Sequence, residues 1–269
     1  MTEPVGFHVT PDCPPRSRRT AESLLEGGHI TAGATGRSDL ELICRADGLT
    51  LVAHPASGPA LELHIDLVGG ARGYRHARAE RSREDLVRAL GRLPRGSRII
   101  DASAGLGRDA LVLAARGFEV VAVERNPVLA ALLRDAMERA SSHRVLRASL
   151  DRLSLQQADV REWLSRHEGI FDAAVFDPMF PPRRKDAEVR KEMRIVHRLL
   201  GANPDPDAPE TLKALQGRVR RCVVVKRPLH APAVGGLRPA RSLRGRSTRF
   251  DVYLPSTVGS QPPGRPGKG

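Results

Sequence analysis

Apolar residues recur along the chain at two different spacings, and their alternation predicts the order of strands and helices. Short apolar runs, which are typical of strands, lie at residues 98–101, 119–124, 153–157, 173–177, 221–226 and 250–254. Apolar residues at helical spacing indicate helices at residues 83–93, 108–115, 127–140 and 188–200. Strands that alternate with helices in this way predict an α/β fold with a parallel, doubly wound sheet.

The part of the chain before residue 81 has a different pattern. Three short apolar or alternating runs, separated by Gly, Asp and Pro, lie at residues 40–44, 49–54 and 61–67. They predict a small β-rich unit over residues 21–80, followed by the main domain over residues 81–254. The two ends, residues 1–20 and 255–269, are rich in Pro, Gly, Arg or Ser and lack apolar periodicity, so we expect both to be disordered.

The composition adds a strong positive charge to this picture. A chain of 269 residues with 40% hydrophobic content is long enough to bury a core. Its formal net charge of +13 indicates a polyanionic partner, because clustered Lys and Arg gain affinity by releasing counterions from phosphates. Nucleic acid is the favoured partner, and the alternative is that most of these arginines form a solvated surface. The basic residues are concentrated at residues 72–83, 183–198, 218–227 and 238–249.

Three cysteines, Cys13, Cys44 and Cys222, are widely spaced and belong to no Cys-x-x-Cys or Cys/His pattern. We therefore expect reduced thiols and no metal site. The N-terminal segment lacks a charged stretch followed by a continuous apolar run, and nowhere do eighteen apolar residues follow one another. These patterns predict a soluble, cytoplasmic protein without a membrane partner.

A glycine-containing turn, Asp101-Ala-Ser-Ala-Gly-Leu-Gly-Arg-Asp109, follows the first strand of the main domain and is predicted to bind a cofactor. Ligands of doubly wound sheets lie beyond the carboxyl ends of the strands, where glycines let the backbone approach closely. Glu124 ends the next strand, where a carboxylate can accept both hydroxyls of a ribose, and Arg125 is expected beside the adenine. Asp159 ends the third strand and could accept from the adenine amine, although acids there are also common helix caps. The turn contributes Asp101, Gly105 and Gly107 to this predicted site.

The same turn fits the dinucleotide pattern G-x-G-x-x-A through Gly105, Gly107 and Ala110, so an NAD-dependent oxidoreductase is the alternative. Two acids favour S-adenosylmethionine instead. Asp101 ends the strand, and Asp109 places a carboxylate where the pyrophosphate of a dinucleotide would lie. A negative side chain suits a cationic sulfonium cofactor with a free amino group better than it suits two phosphates.

A second motif, Asp177-Pro178-Met179-Phe180, follows the strand at residues 173–177 and resembles the tetrapeptide of amino methyltransferases. The lone pair of an exocyclic purine amine is delocalised into the ring, so catalysis needs acceptors that hold the amine hydrogens. Asp177 and the carbonyl of Pro178 are suited to this, since proline fixes φ, and Phe180 could stack on the base. The alternative is an ordinary Asp-Pro turn with Phe180 in the core.

Basic residues follow this second motif and are candidate substrate contacts. They could hold phosphates around the target base, or they could form a solvated helix face. The candidates are Arg183, Lys185, Lys191, Arg194 and, at the end of a later strand, Lys226.

Several segments together resemble the RsmJ-type bacterial 16S rRNA (guanine-N2)-methyltransferases. They lie at residues 65–70, 101–110, 123–127, 177–181, 191–194, 223–228 and 249–253. The resemblance implies a class I, Rossmann-like methyltransferase fold. It also implies transfer of a methyl group from S-adenosylmethionine to the N2 amine of a guanosine in 16S rRNA, free or within the small ribosomal subunit.

Carried over residue by residue, the resemblance implies a set of cofactor contacts. A non-catalytic RNA-binding assembly factor that retains a cofactor fold is a further alternative, since such a protein would have the same basic charge. The implied contacts are Arg108, Asp109, Glu124, Arg125, Asp159, Val160 and Asp177.

Overall fold

The computed structural model describes residues 5–33, 39–69, 81–179, 191–201, 205–245 and 248–256, without the side chains of residues 81–84 and 191. Its N-terminal part is a five-stranded sheet in the order β2-β1-β3-β4-β5. The parallel pairs are β1 with β2 and β1 with β3, whereas β3, β4 and β5 pair antiparallel. The strands are β1 (Gly6–Val9), β2 (Thr31–Ala32), β3 (Leu40–Arg45), β4 (Gly48–Ala53) and β5 (Leu61–His64).

The expectation of a disordered tail over residues 1–20 is wrong for the described residues of that range. They form β1 and the first half of helix α1 (Pro15–Glu26). Pro15 starts the helix, where its missing amide hydrogen costs nothing, and Ser17, Ala21 and Leu24 form one buried stripe. This stripe is short and lies between arginines, so the helical periodicity of the segment is weak in the sequence. The predicted tail at 255–269 lies outside the described residues from position 257 onward.

The expectation of three reduced thiols is also wrong, because Cys13 and Cys44 form a disulfide with their Cα atoms 5.4 Å apart. The parallel pairing of β1 with β3 places Val9 opposite Cys44, and the amide of Thr10 donates to the carbonyl of Cys44 at 2.9 Å. The turn after β1 therefore carries Cys13 to the side of β3. The two cysteines are 31 residues apart in the sequence, so their pairing is not visible as a local cysteine motif. Cys222 is a buried free thiol.

The predicted doubly wound sheet is confirmed as a seven-stranded sheet in the order β11-β12-β10-β9-β6-β7-β8. The five neighbouring strands β10, β9, β6, β7 and β8 are parallel, while β12 runs antiparallel to its neighbours β10 and β11. The strands are β6 (Arg98–Asp101), β7 (Glu119–Glu124), β8 (Leu153–Gln157), β9 (Phe171–Phe176), β10 (Val219–Pro228), β11 (Arg241–Arg244) and β12 (Thr248–Tyr253).

The helices of the main domain cover both faces of this sheet. Asn126 caps one of them, since its side chain accepts from the amides of Val128 and Leu129, and Pro127 follows in the first turn. The helices are α2 (Arg81–Leu90), α3 (Arg108–Ala115), α4 (Pro127–Ala140), α5 (Arg147–Leu150), α6 (Val160–Arg166), α7 (Lys191–Leu200) and α8 (Ala208–Gln216), with a short 3-10 turn at Val234–Gly236.

The N-terminal sheet packs on α4, and one continuous apolar core extends through both parts of the chain. A buried carboxylate joins them: Asp135 accepts from the amide of Leu49 at 3.1 Å and from Nε of Arg139 at 2.8 Å. Arg139 also donates to the carbonyl of Ile65 at 2.6 Å. The predicted division at residue 80 lies in a segment outside the described residues.

The strand order determines where a ligand can bind. From β6 the chain proceeds outward to β7 and β8, then crosses back to β9 on the other side of β6. In open α/β sheets such a reversal opens a crevice at the carboxyl ends of the strands. Within the described residues, no helix has both the length and the apolar character needed to span a membrane.

Candidate active site

A cavity of about 440 Å³ lies at this crevice. Its walls come from the turn after β6, the ends of β7 to β10, and one side of α7, which contributes Met193, Val196 and Leu200. The sequence motifs at residues 101–109 and 177–179 thus meet in one pocket, although about seventy residues separate them. This is the arrangement expected when parallel strands end at a common edge.

The cavity is acidic although the chain has a formal charge of +13. Six carboxylate side chains line it against three basic ones, so its polarity suits a cationic ligand and opposes a pyrophosphate. The acids are Asp101, Asp109, Glu124, Asp159, Asp177 and Asp205, and the bases are Arg108, Arg125 and Lys226.

Glu124 is fixed at the end of β7 by two backbone amides. Its Oε2 accepts from the amide of Gly105 at 2.7 Å, and its Oε1 accepts from the amide of Asn126 at 2.8 Å. Gly105 has a φ of 51°, a conformation that glycine adopts without a steric penalty. Burial raises the pKa of Glu124 even though these amides favour the ionised form. The carboxylate therefore joins the turn to the neighbouring strand inside the cavity wall.

Asp101 lies at the end of β6 and is only 3% exposed. Burial, together with the nearby carboxylate of Asp109, raises the pKa of Asp101 to about 7. The amide of Ser103 donates to its Oδ1 at 3.2 Å. Near neutral pH this group is poised between its two protonation states, and a positive ligand in the cavity would favour the ionised one.

Lys226 lies between two of the acids that were predicted from the sequence. Its Nζ is 2.7 Å from Oδ2 of Asp177 and 3.3 Å from Oδ2 of Asp109. Burial alone would lower the pKa of Lys226, but these two carboxylates outweigh it and hold the pKa well above its ordinary value. Lys226 was predicted as a substrate contact, and the structure places it inside the cavity.

Asp177 directly follows β9, and its backbone amide donates to Oγ of Ser103 at 2.7 Å. The side chain is 42% exposed, and it lines the cavity, so this exposure is toward the pocket. Surrounding protein still raises the pKa of Asp177, and the charge of Lys226 offsets part of that rise. Pro178 is buried, and among the described residues the cavity lining contains Asp177 and Met179 but omits Pro178.

The two predicted arginines of the cofactor site are held by acids. Arg108 pairs with Glu192 of α7 at 2.5 Å, which connects α3 to the wall that α7 provides. Arg125 pairs with Asp205 and, at 3.2 Å, with Asp207. These pairs hold both guanidinium groups at the cavity wall.

Asp159 and Val160 both line the cavity, as predicted, at the end of β8. The Asp159 side chain also caps α6, because it accepts from the amide of Arg161 at 2.9 Å. Although burial would raise it, hydrogen bonds from Arg161 lower the pKa of Asp159. The predicted adenine contact and the alternative of a helix cap are thus compatible in one residue.

Other predicted residues lie elsewhere or outside the described structure. Gly107 has a φ of 71° at the start of α3, and a Cβ there would lie 2.4 Å from Leu133, so it is a packing position. Within the described residues, the cavity lining includes Gly105 but not Gly107. Arg194 is exposed on α7. Phe180, Arg183 and Lys185 lie outside the described residues, as does the side chain of Lys191.

Several cavity residues carried no recognisable motif. Ser103 lies within the predicted turn but was not singled out, although its hydroxyl orients the backbone of Asp177. Asp205 accepts from the amide of Met179 at 2.5 Å and comes from a loop that the strand pattern did not resolve. Met193 and Thr248 complete the wall. Among the described residues, no group of three or more His, Cys, Asp or Glu side chains is arranged to hold a metal ion.

Comparison with known proteins gives a consistent result. Residues 29–255 match the family described as "Putative SAM-dependent methyltransferase". The ribosomal RNA small subunit methyltransferase J of Thioalkalivibrio sulfidiphilus is 42% identical over 88% of this chain and 93% of that protein. The protein of the same name from Pseudomonas aeruginosa is 36% identical over 93% of this chain and 94% of its own length. The crystal structure of a SAM-dependent methyltransferase from Neisseria gonorrhoeae has a TM-score of 0.74 and 25% identity, covering 94% of this chain and 97% of that one.

Proposed function

Because the chain belongs to the SAM-dependent methyltransferase family, together with the ribosomal RNA small subunit methyltransferase J proteins, we propose that it methylates the exocyclic N2 amine of a guanosine in 16S rRNA. The protein is an S-adenosylmethionine-dependent rRNA methyltransferase. The guanine base, the N2 atom and the residue roles below are the proposed part. We also propose a cytoplasmic location, because a ribosomal RNA substrate would be met there.

The residues of the cavity fit S-adenosylmethionine. We propose that Glu124 holds the ribose, that Asp101 and Asp109 supply negative charge, and that Asp159 and Val160 border the adenine; all five residues line the cavity. The excess of carboxylates complements a ligand that carries both a sulfonium and an ammonium group. The same excess disfavours the pyrophosphate of NAD, which was the alternative left by the glycine pattern.

The observation that carries the proposal is the arrangement around Asp177. This carboxylate faces the cavity, Ser103 fixes the backbone behind it, and Lys226 holds its Oδ2. A carboxylate is an acceptor-only group, so it can take a hydrogen bond from the amine and leave the nitrogen lone pair directed at the methyl donor. Catalysis then depends mainly on positioning.

The chemical step needs little from the protein beyond this placement. S-adenosylmethionine, when bound, would supply an electrophilic methyl group; the amine lone pair would form the new nitrogen–carbon bond, and the carbon–sulfur bonding pair would stay with sulfur. The amine then has one proton too many, and Asp177 is the group placed to accept it. The basic residues that follow the motif, from Arg183 to Arg194, are proposed to hold phosphates of the RNA.

Transfer of tritiated methyl groups to small ribosomal subunits that lack the modification tests this proposal. The wild-type protein should label the subunits or free 16S rRNA, and Asp177→Ala should reduce the labelling at least about 100-fold. Asp151→Ala is the matched control, because Asp151 is exposed in a turn before β8. Full activity of Asp177→Ala would refute the role of this carboxylate. Absence of labelling with both substrates would refute the proposed substrate.

A further inference from the structure

Lys226 is partly buried and lies between two carboxylates, unlike a lysine on a solvated surface. In the parallel pairing of β10 with β9, Val225 lies opposite Phe176, so the next residues, Lys226 and Asp177, are neighbours at the edge of the sheet. The side chain of Lys226 is 28% exposed and lines the cavity. Its ammonium group bridges Asp177 on β9 and Asp109 on α3.

We propose that Lys226 is a positioning residue for methyl transfer: it holds Asp177 through Oδ2, so that Oδ1 is presented to the amine of the substrate. This inference rests on the function proposed above for Asp177. Two observations carry it. The 2.7 Å contact is a short, charge-assisted hydrogen bond, and no hydrogen bond to Oδ1 is found among the described residues.

The charges around Asp177 explain why a cation is needed at this place. Burial and the carboxylate of Asp109 on α3 both raise the pKa of Asp177, and Asp177 in turn raises the pKa of Asp101 at the end of β6. Arg227 also acts on Asp177 from β10, but Lys226 is the group in direct contact. Without Lys226 the pKa of Asp177 would rise further, and a protonated Asp177 could no longer accept the amine proton.

A purely structural role for Lys226 makes a different prediction. If the residue only braced β10 against α3 through Asp109, its removal would lower stability and would leave the pH dependence of kcat at its wild-type position. Lys226→Met removes the charge and keeps much of the side-chain length, whereas Lys226→Arg keeps the charge with another geometry. The comparison of these two variants separates charge from packing.

The first measurement is the pH dependence of kcat at saturating RNA and cofactor. Lys226→Met should lower kcat at pH 7 about 10- to 100-fold, with a smaller effect on KM for RNA, and should move the acidic limb upward by about 1 to 3 pH units. Lys226→Arg should keep the limb at its wild-type position. Lys213→Met is the matched control, because Lys213 is exposed on α8, and it should behave as wild type.

The acidic limb of the pH profile of kcat must be assigned to Asp177. Asp101 is the competing group, because burial and Asp109 raise its pKa to about 7. The same comparison is therefore repeated in an Asp101→Asn background, where the shift caused by Lys226→Met should persist. If the limb does not move, or if it moves only while Asp101 is present, the inference is overturned.

A second measurement does not use activity at all. Carbon-13 NMR of protein labelled at the aspartate carboxyl carbons follows the titration of Asp177 directly, with the signal assigned by its loss in Asp177→Asn. The signal should titrate at higher pH in Lys226→Met than in wild type or Lys226→Arg. An upward shift without methyl transfer to any RNA would support the role of Lys226 and refute the proposed function. Methyl transfer with an unchanged titration of Asp177 would support the proposed function and refute the role of Lys226.

Discussion

Gly107 allows packing and cofactor binding to be tested separately within one turn. An alanine at this position would adopt a φ of 71°, and its Cβ would lie 2.4 Å from Cδ1 of Leu133 on α4. The left-handed conformation costs about 1–2 kcal/mol, and overpacking against a buried leucine adds about 1–3 kcal/mol. We expect Gly107→Ala to lower the free energy of unfolding by about 2–5 kcal/mol.

Gly105 provides the matched control two residues earlier. Its φ is 51°, but the nearest atom to an added Cβ is the carbonyl oxygen of Ser103 at 3.9 Å. Gly105→Ala should therefore show only the conformational cost of about 1–2 kcal/mol. Urea unfolding followed by circular dichroism measures both variants under the same conditions.

A double-mutant cycle identifies the cause of the Gly107 effect. Leu133→Ala removes the atoms that the new Cβ would meet, so Gly107→Ala should cost less in that background than in wild type. The folded fraction of Gly107→Ala should still bind S-adenosylhomocysteine, because Gly105 lines the cavity and Gly107 packs behind it. A loss of stability no larger than that of Gly105→Ala, or additivity with Leu133→Ala, would refute the packing argument.

Three further predictions concern buried groups. Asp135→Ala should lower the free energy of unfolding, measured in urea, by about 3–5 kcal/mol, because it removes the counter-charge of the partly buried guanidinium of Arg139. Loss of the exposed Glu162 side chain should cost less than about 1 kcal/mol, and similar costs for the two changes would contradict this prediction. Burial raises the pKa of Asp101 from 3.8 to about 7, so between these pH values the folded protein keeps a proton that the unfolded chain has lost. The free energy of unfolding should therefore fall as the pH rises from about 4 to 7. Asp101→Asn should reduce the difference in this free energy between pH 5 and pH 8, and an unchanged difference would contradict the burial argument. Thiol titration of oxidised, unfolded protein should find one reactive cysteine before reduction and three after it, and three reactive thiols before reduction would contradict the pairing. The disulfide closes a loop of 31 residues and should stabilise the fold by about 3–4 kcal/mol in the chain-entropy model.

The sequence was sufficient for six of the seven strands of the main sheet, because these strands and the helices between them have strong local signals, whereas the edge strand β11 was not predicted. The predicted bounds of α3, α4, β7 and β8 match the structure residue for residue. Valine-rich runs bounded by Gly and Pro, and a proline in the first helical turn, depend only on neighbouring residues. Because parallel strands end at one edge, the motifs at residues 101–109 and 177–180 could also be assigned to one pocket.

What the sequence could not provide depends on contacts between distant residues. The pairing of Cys13 with Cys44 follows from the parallel register of β1 and β3, and no local pattern encodes that register. The position of Lys226 between two acids requires knowing that β9 and β10 are neighbours. The glycine pattern does not tell whether Gly107 contacts the cofactor or packs against the protein. Only the proximity of Leu133 shows its role in packing.

An acidic cavity in a basic protein is proposed to deliver a methyl group to a guanine amine of 16S rRNA. Mass spectrometry can test this on nucleosides of 16S rRNA from cells with and without the gene. We predict one N2-methylguanosine site that disappears with the gene and returns with the wild-type protein but not with Asp177→Ala. An unchanged N2-methylguanosine content, or the loss of a different modified nucleoside, would contradict the claim.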